Sequence, residues 1–121
     1  MDGNEDVKND ILTRLLAFIA SRMDIDIRLF LQYLDLERAQ PFRRLQKYPR
    51  AGGCGSWELD GSVGSHSAAF YVPFRDTGEK GHCYYEKSLI LSKVKEARQK
   101  GIQLSSHAIG EAAIDQIVDC Y

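Results

Sequence analysis

Ile102–Cys120 reads I-Q-L-S-S-H-A-I-G-E-A-A-I-D-Q-I-V-D-C, and its hydrophobic period changes partway along. At first the residues alternate. Ile102, Leu104 and Ser106 fall on one face of an extended chain, and Gln103, Ser105 and His107 on the other. From Ala112 the apolar positions switch to helical spacing, with Ala113, Ile114, Ile117, Val118 and Tyr121. A strand running straight into a helix places His107 at the strand's carboxyl end, just before a turn at Gly110. In α/β sheets that end is where ligands and catalytic residues collect. A lone His there is also a common hydrogen-bonded structural residue.

A chain of 121 residues fits one domain, or a piece of one. The formal net charge of −1 carries no basic bias toward nucleic acid and no acidic tail. Cys54, Cys83 and Cys120 are odd in number and lack C-x-x-C spacing. They read as free cytoplasmic thiols rather than a disulfide framework or zinc knuckle. The first residues have no basic run before an apolar core, so no signal peptide is expected. The apolar run Leu15–Ala20 is too short to span a bilayer.

Tyr85–Lys100 reads as a helix stopped by Gly101. Its inward stripe is Leu89, Ile90, Val94 and Ala97. Before it, His66–Gly81 is a long excursion, the kind that forms a lid or pocket wall. Ser56–Asp60 alternates, with Trp57 and Leu59 on one face and Ser56, Glu58 and Asp60 on the other. Two carboxylates on one strand face need partners if buried; on an edge strand they are solvated, and the edge is the expectation. Pro49–Gly55 is Gly-rich punctuation. Glu37–Tyr48 is a short helix with a basic outer face and Pro41 near its first turn. Ile25–Leu34 alternates with apolar groups on both faces, as in a buried parallel strand. Arg28 and Gln32 lie on its second face as site residues or structural ones. Asp6–Met23 is an amphipathic packing helix, with Val7, Ile11, Leu15, Phe18 and Ile19 on its stripe and Leu12 and Leu16 widening it.

Strands alternating with helices predict an α/β fold with a parallel sheet and right-handed crossovers. Three strands leave two open edges, through which the chain is expected to oligomerise unless more sequence covers them. The helix running to Tyr121 carries no stop signal, which reads as a chain cut from something longer.

Two segments carry a family resemblance. D-G-S-V-G-S-H-S-A-A, from Asp60 to Ala69, is followed by S-H-A-I-G-E-A-A-I-D, from Ser106 to Asp115. Together they resemble the paired signature of the amidohydrolase family 3 proteins, and the resemblance extends over roughly 25–121. It implies a segment of a (β/α)8 TIM-type barrel with three β-α units, in one partial domain over 1–121. It also implies a metal-dependent hydrolase of amide and related C–N bonds, acting on a small molecule. In such enzymes a divalent ion, typically zinc, lowers the pKa of bound water to about 7 and polarises the scissile carbonyl.

By the motif match His107 would be a metal ligand and Asp60 a catalytic carboxylate. Many members carry a bridging Lys four residues before D-G-S; here that position is Ser56, and Glu58 is the substitute on the same strand face. Glu111 stands where the family has Asp. The family's first-strand H-x-H, another strand-end His and a late Asp have no counterpart. Since three protein ligands are the usual minimum for a catalytic zinc, the chain alone is expected to be inactive. Two alternatives stand beside this reading. One is a non-enzymatic binding or regulatory module derived from the barrel. The other is an assembly in which several chains pool His66, His82, His107 and Glu58.

Overall fold

The computed structural model describes residues 3–32, 35–44 and 49–121. Their order is α1 (Gly3–Ala20), β1 (Phe30–Leu31), a 3₁₀ helix (Leu36–Arg44), β2 (Arg50–Glu58), α2 (Lys87–Gln99), β3 (Gln103–His107) and α3 (Glu111–Val118). The strands form one parallel sheet in the order β1-β2-β3. The α/β class and the parallel sheet are therefore as the alternation predicts.

The deciding stretch folds as read. Ile102 and Leu104 are buried, and the chain turns at Gly110 into α3, which buries Ala113 and Ile117. Ile114 and Val118, expected on the same stripe, face outward. α2 buries Ile90 and Ala97 and stops where Gly101 adopts φ 62°. The Ile102 amide returns to the Ala97 carbonyl at 2.8 Å, closing the helix end. Leu89 faces outward, and Leu91 packs against the core in its place.

Three expectations are corrected. The Gly-rich segment expected to punctuate the chain lies inside β2, from Arg50 onward. Gly52 and Gly53 have φ of 96° and 99°. A Cβ on Gly52 would fall on the Ser105 carbonyl of β3, so glycine is what lets the two backbones meet. β2 is then the central strand, not an edge. Among the described residues, the strand expected over 25–34 pairs at Phe30 and Leu31, opposite Arg50 and Ala51. Ile25 is exposed, and Asp26 and Arg28 form an ion pair in solvent beyond the reach of β2. Residues 33 and 34 lie outside the described residues, as do 45–48 of the expected helix over 37–48.

That helix appears as 3₁₀ over Leu36–Arg44. Leu36, Ala39 and Phe42 recur every third residue, which is the 3₁₀ repeat, and all three are buried. They join Leu31, Ala51, Trp57, Leu59, Ile90 and Leu104 in one core.

α1 also departs from expectation. Among the α1 residues whose side chains are described, Ala17 is buried, while Ile11, Leu12, Leu15, Leu16, Phe18 and Ile19 are exposed; Val7 of the expected stripe lies outside them. Ala17 meets the core, and the apolar residues from Ile11 to Ile19 point away. No helix among the described residues is long and apolar enough to cross a membrane.

Gly52→Ala is expected to destabilise the fold by about 2 kcal/mol or more, from the left-handed φ and the backbone clash together. Gly64, with open space around it, should tolerate the same change within about 0.5 kcal/mol. Urea unfolding midpoints of the two variants check the contrast.

Candidate functional site

The carboxyl ends of β2 and β3 lie side by side. Their register is regular from Arg50↔Gln103 to Gly53↔Ser106, then jumps, so that Glu58 stands opposite His107. Residues 54–57 have no counterpart on β3, and this irregularity brings Glu58 level with His107. The ladder continues one step further, with the Leu59 amide donating to the His107 carbonyl at 2.8 Å.

Asp60 follows at once and is fully buried, with 0% of its surface exposed. Its Oδ2 accepts from the amides of Ala69 (2.8 Å) and Gly110 (2.7 Å). Its Oδ1 accepts from the amide of Ile109 (2.9 Å). One carboxylate therefore ties the D-G-S segment to the H-A-I-G segment. Charge-assisted bonds of this kind are the stronger class, and they answer the cost of burying a carboxylate. The two segments also close directly. The Ala112 amide donates to the Ala69 carbonyl at 3.0 Å, and a Cβ on Gly110 would fall on that same Ala69 backbone.

His107 is half-buried, and its Nε2 lies 3.2 Å from the Gly61 carbonyl oxygen. A carbonyl only accepts, so Nε2 carries the proton in this contact. The imidazole is thus oriented by the turn that Asp60 anchors. A backbone carbonyl holding one ring nitrogen is the arrangement that supports a metal-binding His.

The excursion after Asp60 folds back over this end. Ser62, Ser65 and Ser67 join their hydroxyls at 2.8 and 2.6 Å. His66, at φ 55°, sets Nε2 2.9 Å from Asp76 Oδ2 and its ring edge-on to Phe74. The hydrogen bond to His66 holds the Asp76 carboxyl below its usual range. The Tyr84 amide then returns to the Leu59 carbonyl at 2.7 Å. Tyr71 donates to Asp115 Oδ2 at 2.7 Å, which raises its phenol pKa. Burial, with the Asp60 charge second, pushes the Cys83 thiol up, and Cys83 and Cys120 are both free.

Of the residues singled out from sequence, the structure sets Glu58 and His107 opposite each other on adjacent strands, with Asp60 two residues further along and fully buried. It does not bring the other two histidines there as ligands. His66 pairs with Asp76, and His82 is exposed with its ring against Tyr84. Arg28 pairs with Asp26 in solvent, and Gln32 donates to the Gly52 carbonyl at 3.1 Å. Among the described residues no three His, Cys, Asp or Glu side chains gather as a metal-binding group. Two donors at the strand ends, His107 and Glu58, fall short of the three that a catalytic zinc takes.

Sequence reasoning missed the clasp at Asp60. The available signal was that both halves of the motif pair are rich in Gly and Ala, whose amides a neighbouring carboxylate reaches easily.

No protein-family model matches the chain. A stretch of 64 residues is 38% identical to the Protein LONG AFTER FAR-RED 3 of Arabidopsis thaliana, covering 52% of this chain and 11% of that protein. Two solved structures are similar in fold. An uncharacterized metal-dependent hydrolase from Pyrococcus horikoshii OT3 matches with a TM-score of 0.61 and 24% identity, over 89% of this chain and 23% of its own. An uncharacterized metal-dependent hydrolase from Pyrococcus furiosus matches with a TM-score of 0.58 and 22% identity, over 85% of this chain and 23% of its own. The chain thus spans about a quarter of the length of these structures, and the likeness defines its fold.

Replacing Asp60 by Asn leaves one oxygen and puts an NH₂ group against a backbone N–H. The expected cost is about 2–4 kcal/mol, read by urea unfolding. Acid should act separately at the exposed Asp76. Its carboxyl is depressed in the folded chain, so its contribution to loop order is present above the ordinary carboxylate pKa. That contribution is lost as pH falls through the depressed value. A carboxyl titration of Asp76 by NMR, with and without His66→Ala, should show the depression shrink in the variant, leaving the part due to its backbone hydrogen bonds.

Proposed function

We propose that this chain is part of a metal-dependent hydrolase barrel. In this reading it supplies three consecutive β-α units of a TIM-type barrel, within one domain, and carries one edge of the active site. The observation that carries the reading is the placement of His107 and Glu58 in register at the carboxyl ends of adjacent parallel strands. Barrel enzymes assemble their sites at that end. The fold likeness to two proteins described as metal-dependent hydrolases supports it. The motif pair that resembles amidohydrolase family 3 supports the finer assignment to amide and related C–N bonds of small molecules, with zinc as the metal.

His107 and Glu58 are the ligands in this proposal, with the remaining donors supplied from outside these 121 residues. Asp60 acts through position rather than at the reacting atoms. All three of its hydrogen bonds go to backbone amides, and it has no exposed surface from which to meet a substrate. Its work is to hold the Gly61 carbonyl where it orients His107. Among the described residues no complete metal centre forms, and in this proposal the chain does not hydrolyse amides alone. The free thiols of Cys83 and Cys120 support a reducing, cytoplasmic setting.

Zinc titration of the isolated chain, followed by imidazole NMR, tests the reading. Weak binding that perturbs His107, weakened at least tenfold in both His107→Ala and Glu58→Gln, is the expected result. Zinc that perturbs His66 or His82 while leaving His107 untouched would remove its basis.

A further inference from the structure

We infer that Gln32 and Ser105 form a recognition pair for an uncharged amide group of the substrate, one level below His107 and Glu58. The inference rests on the reading of those two residues as metal ligands of a hydrolase, and it adds the chemistry that the face beside them binds.

The sheet has two unlike faces. Leu31, Ala51 and Leu104 point into the core, together with Ile90 and Ala97 of α2 and Ala113 and Ile117 of α3. Alternation puts Gln32, Gly52 and Ser105 on the opposite face. His107 lies two residues beyond Ser105 on that face. Glu58, between the buried Trp57 and Leu59, joins it there.

Three levels succeed one another along this face. At the lowest, Phe30, Arg50 and Gln103 stand in register across the three strands. They engage one another: Arg50 Nε donates to Gln103 Oε1 at 2.9 Å, and the guanidinium lies 5.8 Å from the Phe30 ring. At the highest stand Glu58 and His107. Between them, Gly52 pairs with Ser105, and Gln32 follows Leu31, the partner of Ala51. Glycine brings no side chain to this middle level, and Gly53 adds none. A gap therefore lies between Gln32 and Ser105. A Cβ placed on Gly53 would stand 3.5 Å from Gln32 Nε2 and 3.7 Å from Ser105 Oγ.

Two polar groups border this gap. Gln32 Nε2 donates to the Gly52 carbonyl at 3.1 Å, which fixes the nitrogen end of the side-chain amide. A second N–H and Oε1 remain for a ligand, and the Ser105 hydroxyl has no hydrogen-bond partner among the described residues. A donor beside an acceptor on one carboxamide matches a ligand group built the same way. Gln32, Gly52 and Ser105 carry no charge, and Arg50, one level down, is engaged with Gln103. A carboxylate would find nothing at this level to offset its loss of water.

NMR titration of the 121-residue chain with propionamide, and with propionate of the same shape, tests the pair. Propionamide should move the Gln32 side-chain NH₂ signals and the Ser105 amide, and propionate should not. Gln32→Met and Ser105→Ala should each weaken propionamide binding about fivefold, the loss of one hydrogen bond. Ser105→Ala breaks no side-chain hydrogen bond within the described residues, so its circular dichroism should match the wild type even where Gln32→Met disturbs β1. Propionamide that leaves both residues unmoved would overturn the inference. So would propionate binding as well as the amide, or affinity unchanged in both variants. Zinc titration of the same samples separates this from the hydrolase reading. A zinc response at His107 without an amide response at Gln32 and Ser105 would overturn the pair alone. An amide response without a zinc response at His107 would remove the hydrolase reading and, with it, the assignment of the bound amide to a substrate.

Discussion

A single buried carboxylate holds the carboxyl end of this sheet together. Asp60 leaves the end of β2 and accepts three amides, two from the turn after β3 and one from the loop that β2 itself feeds. A charge with no exposed surface is tolerable only when its acceptor capacity is used. Here the donors are backbone groups, which no side-chain rotation can withdraw. The turn before α3 must therefore sit against the loop after β2, and everything attached to either follows.

The small residues around Asp60 make this contact possible. Gly110 passes so close to Ala69 that no side chain fits between them, and Ala112 adds its own hydrogen bond across the same gap. On the other side, Gly52 lets β2 lie against Ser105 of β3. The two strands are thus pinned near their start by a glycine and at their end by a carboxylate. The irregularity between Gly53 and Glu58 absorbs the mismatch in length and sets Glu58 beside His107. The position of the candidate ligands is a consequence of backbone fit, with the Gly61 carbonyl adding orientation to the imidazole.

Much of the fold was legible because period and punctuation agreed with tertiary structure. β3, the turn at Gly110 and α3 were read from one change of period, and α2 ended at Gly101 as its αL stop implied. Failures came where local pattern and global packing disagree. Glycines at 52 and 53 look like a loop in sequence, yet they serve a strand that another backbone must approach. The alternation from Ile25 promised a long strand, but among the described residues β2 lies opposite Phe30 and Leu31 alone. The apolar stripe of α1 was legible as a stripe, though its direction depends on which face the body offers it. For the site, the motif pair singled out His107 and Asp60 and the strand alternation Glu58, and Glu58 and His107 stand opposite each other in the structure. That Asp60 faces amides depended on the register of two loops distant in sequence, which spacing alone does not encode.

The parallel sheet and the clasp at Asp60 describe one design. A parallel sheet presents its carboxyl ends, and a buried anchor fixes the loops that line them. Amide hydrogen exchange at Ala69, Ile109 and Gly110 tests this most directly. If one carboxylate holds all three, they should exchange slowly and open together as one cooperative unit. Independent exchange, with any of the three as fast as an open loop amide, would contradict the account.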